Sequence, residues 1–184
     1  MRFLSPDITD LDIAAACCRC EPQAQRMLFE RTKRRMFGIC LRFSDSRQDA
    51  EDLLQEGFII VFQEICQFRG EGSLEGWVRR IFVRTAIKYL KKRQKLSDFD
   101  DTSVLQNFWI ENEDFDTEAP DQLLQLMQQL PQGFRAVLNL YVLEDKSHDE
   151  IAAELGITAS TSRSQLARAK AFMRRLMDKM TICL

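Results

Sequence analysis

Three groups of polar side chains recur at helical spacing, and each suits a different surface chemistry. The first is Thr158, Ser160, Thr161, Arg163, Ser164, Gln165 and Arg168. Hydroxyls and free backbone amides at a helix start attract anions, and arginine there can reach phosphate. It can also read the edge of a guanine by two parallel hydrogen bonds, worth about 1–3 kcal/mol against a wrong base. From Leu155 to Met177 the basic residues are Arg163, Arg168, Lys170, Arg174 and Arg175, with no acidic residue among them. Such a helix fits duplex DNA, and the competing reading is an ordinary basic surface helix.

The second group surrounds Gly70-Glu71-Gly72, with Phe68 before it, Ser73 after it, then Trp77 and a stripe of Arg80, Arg84, Lys88 and Lys91, continued by Lys92 and Arg93. Backbone, aromatic ring and cation together are what holding one exposed base of single-stranded DNA requires. Alone, the stripe reads as a solvated face, and Trp77 fits a core position better than a stacking one. The third group is Asp49, Asp52, Gln55, Glu56 and Gln63. Helical spacing leaves them outside while Ala50, Leu53, Leu54, Phe58, Val61, Phe62 and Ile65 turn inward. Ile59 or Ile60 would add an apolar anchor to a protein-binding face, and a solvated acidic face is the plainer alternative.

The cysteines offer less. Cys17, Cys18 and Cys20 cluster without a second ligand pair at zinc-site spacing, and Cys40, Cys66 and Cys183 stand apart. The expectation is reduced thiols, partly buried, with no metal and no cofactor. His148 is the only histidine, which removes most nucleophile–histidine arrangements, so the chain does not read as an enzyme. An enzyme built on the cysteine cluster would instead hold a metal.

The elements positioning these groups read as helices throughout, giving an all-α class. They are expected near 7–19, 23–43, 46–67, 73–93, 120–129, 131–143, 147–155 and 158–178. Net charge is −2 over 184 residues, yet residues 24–92 carry +5, residues 93–121 carry −7 and residues 122–184 carry +2. Two basic blocks therefore flank an acidic connector. We read residues 1–93 as one helical domain, 94–119 as an acidic linker whose Phe99, Phe108, Trp109 and Ile110 can dock, and 120–184 as a second domain. No apolar run reaches the roughly 20 residues of a membrane span, and Asp7, Asp10 and Asp12 do not suit a secretory signal. No membrane insertion and a cytoplasmic location are expected.

Local chemistry organises the second domain into a helix-turn-helix. Ser147 and Glu150 fit a capping box, Ile151, Ala152 and Leu155 form an inward face, and Gly156 suits the left-handed end of that helix. Ile157 then plugs the core and Thr158 caps the next helix. Ser162, Leu166, Ala169, Met173 and Leu176 should face inward, leaving Arg163, Ser164, Gln165 and Arg168 outside.

At these residues a family resemblance emerges. Leu130-Pro-Gln-Gly-Phe-Arg-Ala-Val-Leu138, Glu150-Ile-Ala-Ala-Glu-Leu-Gly156 and Thr161-Ser-Arg-Ser-Gln-Leu-Ala-Arg-Ala-Lys170 resemble region 4 of bacterial sigma factors. Asp49-Ala-Glu-Asp-Leu-Leu-Gln-Glu-Gly-Phe58 resembles region 2.2, and Phe68-Arg-Gly-Glu-Gly-Ser-Leu-Glu-Gly-Trp77 with Arg80-Ile81 resembles regions 2.3 and 2.4. Order and spacing are similar to the compact extracytoplasmic-function (ECF) group, over about residues 24–92 and 120–177.

The resemblance implies a factor that binds core RNA polymerase and directs promoter-specific initiation. It implies that Asp49, Asp52, Gln55 and Glu56 meet the clamp helices of the β′ subunit, and that the second domain meets the β flap. It places Phe68, Gly70, Ser73, Trp77, Arg80, Arg84 and Lys88 on single-stranded minus-10 DNA. Thr158, Ser160, Thr161, Arg163, Ser164, Gln165 and Arg168 would then lie on the minus-35 duplex. An anti-sigma factor is an implied partner, and the linker would thread toward the active-site and RNA-exit region. Two positions depart from the pattern: Arg84 stands where the family often has Asn, and Ser162 where it commonly has an apolar residue. A free-standing helix-turn-helix regulator with a dimerising or sensing N-terminal domain is the competing class, and binding to core polymerase separates the two.

Overall fold

The periodicity of the chain is realised as helices in the computed structural model, which describes residues 8–97 and 121–182 and contains no strand among them. The helices are α1 (Asp10–Cys18), α2 (Pro22–Phe43), α3 (Arg47–Glu64), α4 (Leu74–Ser97), α5 (Asp121–Gln128), α6 (Gln132–Leu138), α7 (His148–Leu155) and α8 (Ala159–Ile182). A 3₁₀ turn, Ile65–Gln67, follows α3, and a π-helical turn, Asn139–Leu143, follows α6. The expected 46–67 and 131–143 helices thus each change winding in their last turn. From residue 98 onward the acidic connector, including Phe99, Phe108, Trp109 and Ile110, lies outside the described residues.

Two compact units divide the chain, one of Met1–Cys40 and Gln48–Ala86, the other of Leu41–Arg47 and Ile87–Leu184. In the first, α1 starts with a capping box: Asp12 N–H donates to Thr9 Oγ1 at 3.2 Å and Thr9 N–H to Asp12 Oδ2 at 3.1 Å. Thr9 Oγ1–H also donates to Asp12 Oδ2 at 2.6 Å, and this side-chain bond, together with the backbone bond from Thr9 N–H, holds the Asp12 pKa below its ordinary value. The core gathers Ile13, Leu28, Met36, Leu53, Val61 and Phe82, all almost fully buried. Phe58 sits at its centre, with ring centroids 4.7 Å from Phe29 and 5.1 Å from Phe82. Gly57 makes this possible, because a Cβ there would fall 2.3 Å from Phe82 Cε1. Its missing side chain lets the aromatic edge of α4 lie directly on the backbone of α3.

The cysteine expectation is overturned here. Cys66, read as an isolated reduced thiol, forms a disulfide with Cys18, their Cα atoms 5.0 Å apart across 48 positions of sequence. The bond ties the end of α1 to the 3₁₀ turn. Cys17 and Cys20 remain free thiols, Cys17 buried and Cys20 exposed. Burial pushes the Cys17 thiol up to about 11, with Glu21 adding to the effect.

In the second unit, Leu126, Met127, Leu130, Ala169 and Met173 form a core, with Phe134, Leu138, Phe172 and Leu176 packed against it. The Leu41–Arg47 segment joins this unit through polar contacts: Asn139 Nδ2 donates to the Arg42 carbonyl at 3.0 Å, and the buried Arg135 pairs with Asp45. Among the described residues no helix is long and apolar enough to cross a membrane.

Candidate nucleic-acid and protein interfaces

The helix-turn-helix is assembled by local bonds. Ser147 Oγ accepts from Glu150 N–H at 3.3 Å while Glu150 Oε2 accepts from Ser147 N–H at 2.8 Å. The side-chain and backbone bonds from Ser147 hold the Glu150 pKa below its ordinary value. Gly156 takes the left-handed conformation, φ 73°, and its N–H returns to the Ala152 carbonyl at 2.9 Å. Thr158 Oγ1 caps α8 by accepting from Thr161 N–H at 3.0 Å. Ile151 is fully buried, whereas Ala152, Leu155 and Ile157 are only half-buried.

The faces of α8 separate cleanly. Ser162, Leu166, Ala169 and Met173 are buried, and Ser160, Arg163, Ser164, Ala167, Arg168, Ala171, Arg174 and Arg175 are exposed at three- and four-residue steps. Arg163, Ser164 and Arg168 therefore stand on the outer face with small residues between them, which leaves room for a groove wall. Ser164 Oγ donates back to the Thr161 carbonyl at 2.9 Å, and Thr158 and Thr161 hydroxyls lie 2.8 Å apart. Among the expected DNA contacts Thr161 is half-buried beside its cap bond, and Gln165 departs furthest from the outer face. It is half-buried, and its amide lies against α6, where a Cβ on Gly133 would come within 3.3 Å of Gln165 Nε2. Lys170 leaves the outer face to sit over the Tyr141 ring, 5.6 Å from its centroid.

Ser162, one of the two departures from the family pattern, has a partner that sequence reading did not find. His148 Nδ1 lies 2.9 Å from Ser162 Oγ, and the imidazole stacks on Tyr141 at 4.7 Å. A small polar residue occupies the apolar position because the first residue of α7 supplies its hydrogen bond.

In the first unit, the Phe68–Leu74 loop turns through two left-handed glycines, Gly70 at φ 77° and Gly72 at φ 92°. Phe68 is buried with its ring centroid 5.9 Å from that of Trp77, edge to face, and Trp77 is half-buried. Both rings support the loop, whose exposed residues are Arg69, Gly70, Glu71, Gly72 and Ser73, with Arg80 exposed beside it on α4. Ser73 Oγ accepts from Gly76 N–H at 3.1 Å and so caps α4. Arg84 is exposed but committed, its guanidinium 2.6 Å from Glu64 Oε2. That ion pair replaces the Asn position of the family with a closed, charge-neutral pair. Lys88 and Lys91 are exposed further along α4.

Sequence reading also missed the support beneath this loop. Asp10 Oδ2 accepts the Leu74 N–H at 2.7 Å, at the start of α4, while Asp10 Oδ1 pairs with Arg31 at 2.9 Å. Leu11, 53% exposed, lies where a Cβ on Gly70 would meet its methyl at 3.0 Å. An aspartate two residues from another in an acidic N-terminal segment gives no signal that it caps a helix 64 positions away.

On α3, Asp52, Gln55, Glu56 and Gln63 are exposed, Asp49 is half-buried, and Leu54 and Phe62 are half-buried rather than enclosed. Ile59 is 58% exposed on the same face as Asp52, Gln55 and Glu56, whereas Ile60 is half-buried, so Ile59 supplies the apolar element. A large aliphatic side chain ringed by carboxylates and amides has the makeup of a protein-binding spot.

Comparison with known proteins follows the same division. Residues 28–96 match the family described as Sigma-70 region 2, and residues 121–173 match Sigma-70, region 4. The chain is 27% identical to the RNA polymerase sigma-H factor of Pseudomonas aeruginosa, over 83% of this chain and 85% of that one. It is 26% identical to the ECF RNA polymerase sigma-E factor of Haemophilus influenzae, over 91% and 94% respectively. Among solved structures, the sigma factor RpoE of Bartonella quintana, crystallised with the anti-sigma factor NepR, superposes with TM-score 0.54 at 17% identity, covering 83% of this chain and 96% of that one.

Proposed function

Because the chain belongs to the extracytoplasmic-function group of sigma factors, which direct core RNA polymerase to promoters, we propose specific surfaces for each step of that activity. The observation that carries the reading is the α3 face, where exposed Ile59 lies among Asp52, Gln55 and Glu56. This face, with Asp49 at its margin, binds the β′ clamp helices. The outer face of α8 enters the minus-35 major groove: Arg163, Ser164 and Arg168 reach bases or phosphates, and Thr158, Ser160 and Thr161 present the helix start to the backbone. Gln165 steadies α8 on α6 instead of touching DNA. The second unit also meets the β flap.

The loop with Gly70 and Ser73, backed by Phe68 and Trp77 and flanked by Arg80, Arg84 and Lys88, receives a minus-10 base. Opening roughly ten base pairs costs on the order of 14 kcal/mol at about 1.4 per step, whereas stacking returns about 1–3 per base. One pocket cannot melt a promoter, so this chain nucleates opening and the polymerase channel supplies the remainder.

In domain terms, residues 1–93 hold the polymerase and the minus-10 element, 94–119 connect, and 120–184 hold the minus-35 element. The action is in the cytoplasm, where polymerase and DNA are. By analogy with the Bartonella quintana complex, an anti-sigma factor is a partner.

Reconstitution with core polymerase tests the reading. The chain should bind core at micromolar concentrations or below, and sequencing the transcripts made should return one shared pair of upstream elements. Failure to bind core would exclude the α3 assignment and favour a free-standing DNA-binding regulator.

A further inference from the structure

The 65–74 segment is held from outside by α1. Leu11 lies against Gly70, Asp10 caps Leu74, and the Cys18–Cys66 disulfide joins the helix end to the turn preceding Phe68. Two of these ties are ordinary packing and hydrogen bonding. The third is a covalent bond that thiols can make and break.

Both Cys18 and Cys66 are exposed, so a thiolate in solution can approach either sulfur. Cys20 is exposed two residues beyond Cys18, in a left-handed backbone conformation with φ 57°, and offers a nearby thiol for exchange. Cys17, buried beside the bond, stays protonated at neutral pH and takes no part. Ile13, Ala14, Ala16 and Cys17 are buried, so apolar packing holds α1 in addition to the bond. What the bond adds is localised to the helix end and the loop.

We propose that Cys18 and Cys66 form a reversible redox site for small thiols and disulfides, which when oxidised clamps α1 onto the Phe68–Leu74 loop and when reduced releases that end of it. Closing starts when one cysteine thiolate attacks a small-molecule disulfide, forming a mixed disulfide and expelling one thiolate. The second cysteine thiolate then attacks the protein sulfur of the mixed disulfide, forming the Cys18–Cys66 bond and expelling the other. Two electrons pass from the cysteine pair to the small disulfide, and the two protons lost by the cysteines end on the two small thiols. Opening is the reverse, with two small thiols consumed. The site stands independently of any DNA contact; its effect on promoter opening rests on the minus-10 reading of the loop.

The test uses the full chain equilibrated with reduced and oxidised glutathione at a series of ratios, acid-quenched, alkylated and mapped by mass spectrometry. A peptide pair linked through Cys18 and Cys66 should rise with the oxidised fraction and disappear reversibly as the reduced fraction rises. No such pair at any ratio, or linkage through Cys17 or Cys20 instead, overturns the site. Hydrogen exchange then reads the clamp: amides from Phe68 to Leu74 should exchange at least about threefold faster in the reduced state, with the α2 and α3 core unchanged. Cys18→Ser and Cys66→Ser should each match the reduced chain in oxidising buffer. Equal loop exchange in the two states overturns the clamp. If loop exchange responds but reconstituted polymerase opens promoter DNA equally well in both states, the clamp stands and the minus-10 reading of the loop falls.

Discussion

His148 Nδ1 and Ser162 Oγ, 2.9 Å apart, join the first residue of α7 to the buried side of α8, linking the two helices of the DNA-binding motif. Ser162 is fully buried, so its hydroxyl needs that partner. His148→Ala should destabilise the second unit by about 1–2 kcal/mol, from the lost bond and the lost stack on Tyr141, and Ser162→Ala by about 1. Urea unfolding of the two single variants and the double variant should give a coupling of about 0.5–1.5 kcal/mol. Strict additivity would mean the two residues do not act together.

On α3, replacing Asp52 and Gln55 together by Ala should weaken binding to core polymerase about tenfold without lowering the melting temperature, because both side chains are exposed. Ile59→Asp should weaken it at least as much, by placing an unpaired carboxylate at the centre of the interface. Fluorescence titration against core enzyme measures both. Wild-type affinity in both variants would remove this face from the interface.

Gly57→Ala places a methyl 2.3 Å from the Phe82 ring. The overpacking should cost about 1–3 kcal/mol of stability, although alanine is the better helix former. Adding Phe82→Leu should restore part of the loss by clearing the edge. A Gly57→Ala chain as stable as wild type by thermal unfolding would contradict the close α3–α4 approach.

Arg163→Ala and Arg168→Ala should each cost about 1–3 kcal/mol in holoenzyme binding to promoter DNA if they read base edges, with relaxed preference at one base pair. A phosphate contact would instead lower the salt dependence of binding by about one unit in the log–log slope, with no change in base preference. Gln165→Ala, whose side chain lies on α6, should alter stability more than base preference. A clear change in base preference in the Gln165 variant would reverse that assignment.

Glu150 binds its proton less readily in the folded chain, because Ser147 bonds favour its carboxylate. The unfolded chain therefore takes up this proton first as pH falls. The capping contribution is complete above the ordinary carboxyl value of 4.5 and is lost as pH drops through the lower folded value. The stability difference between wild type and Glu150→Gln should accordingly shrink between about pH 5 and pH 3. A difference constant across that range, measured by urea unfolding, would show that the carboxylate does not carry the cap.

Sequence alone determined whatever depends on neighbours within a turn or two. The Ser147–Glu150 box, the left-handed Gly156 and the Thr158 cap bond atoms three to five residues apart, so residue types at those spacings suffice to place α7, the turn and α8. Apolar periodicity likewise set Arg163, Ser164 and Arg168 outward on α8 and Asp52, Gln55 and Glu56 outward on α3. Tertiary structure decided every choice of distant partner. Cys18 found Cys66, Asp10 capped Leu74, Arg84 closed onto Glu64, Ser162 received His148, and Gln165 turned to Gly133. Helical period states which way a side chain points but not what stands opposite. That follows only from how closely two helices approach, and here it depends on details as small as the missing side chain of Gly57 under Phe82.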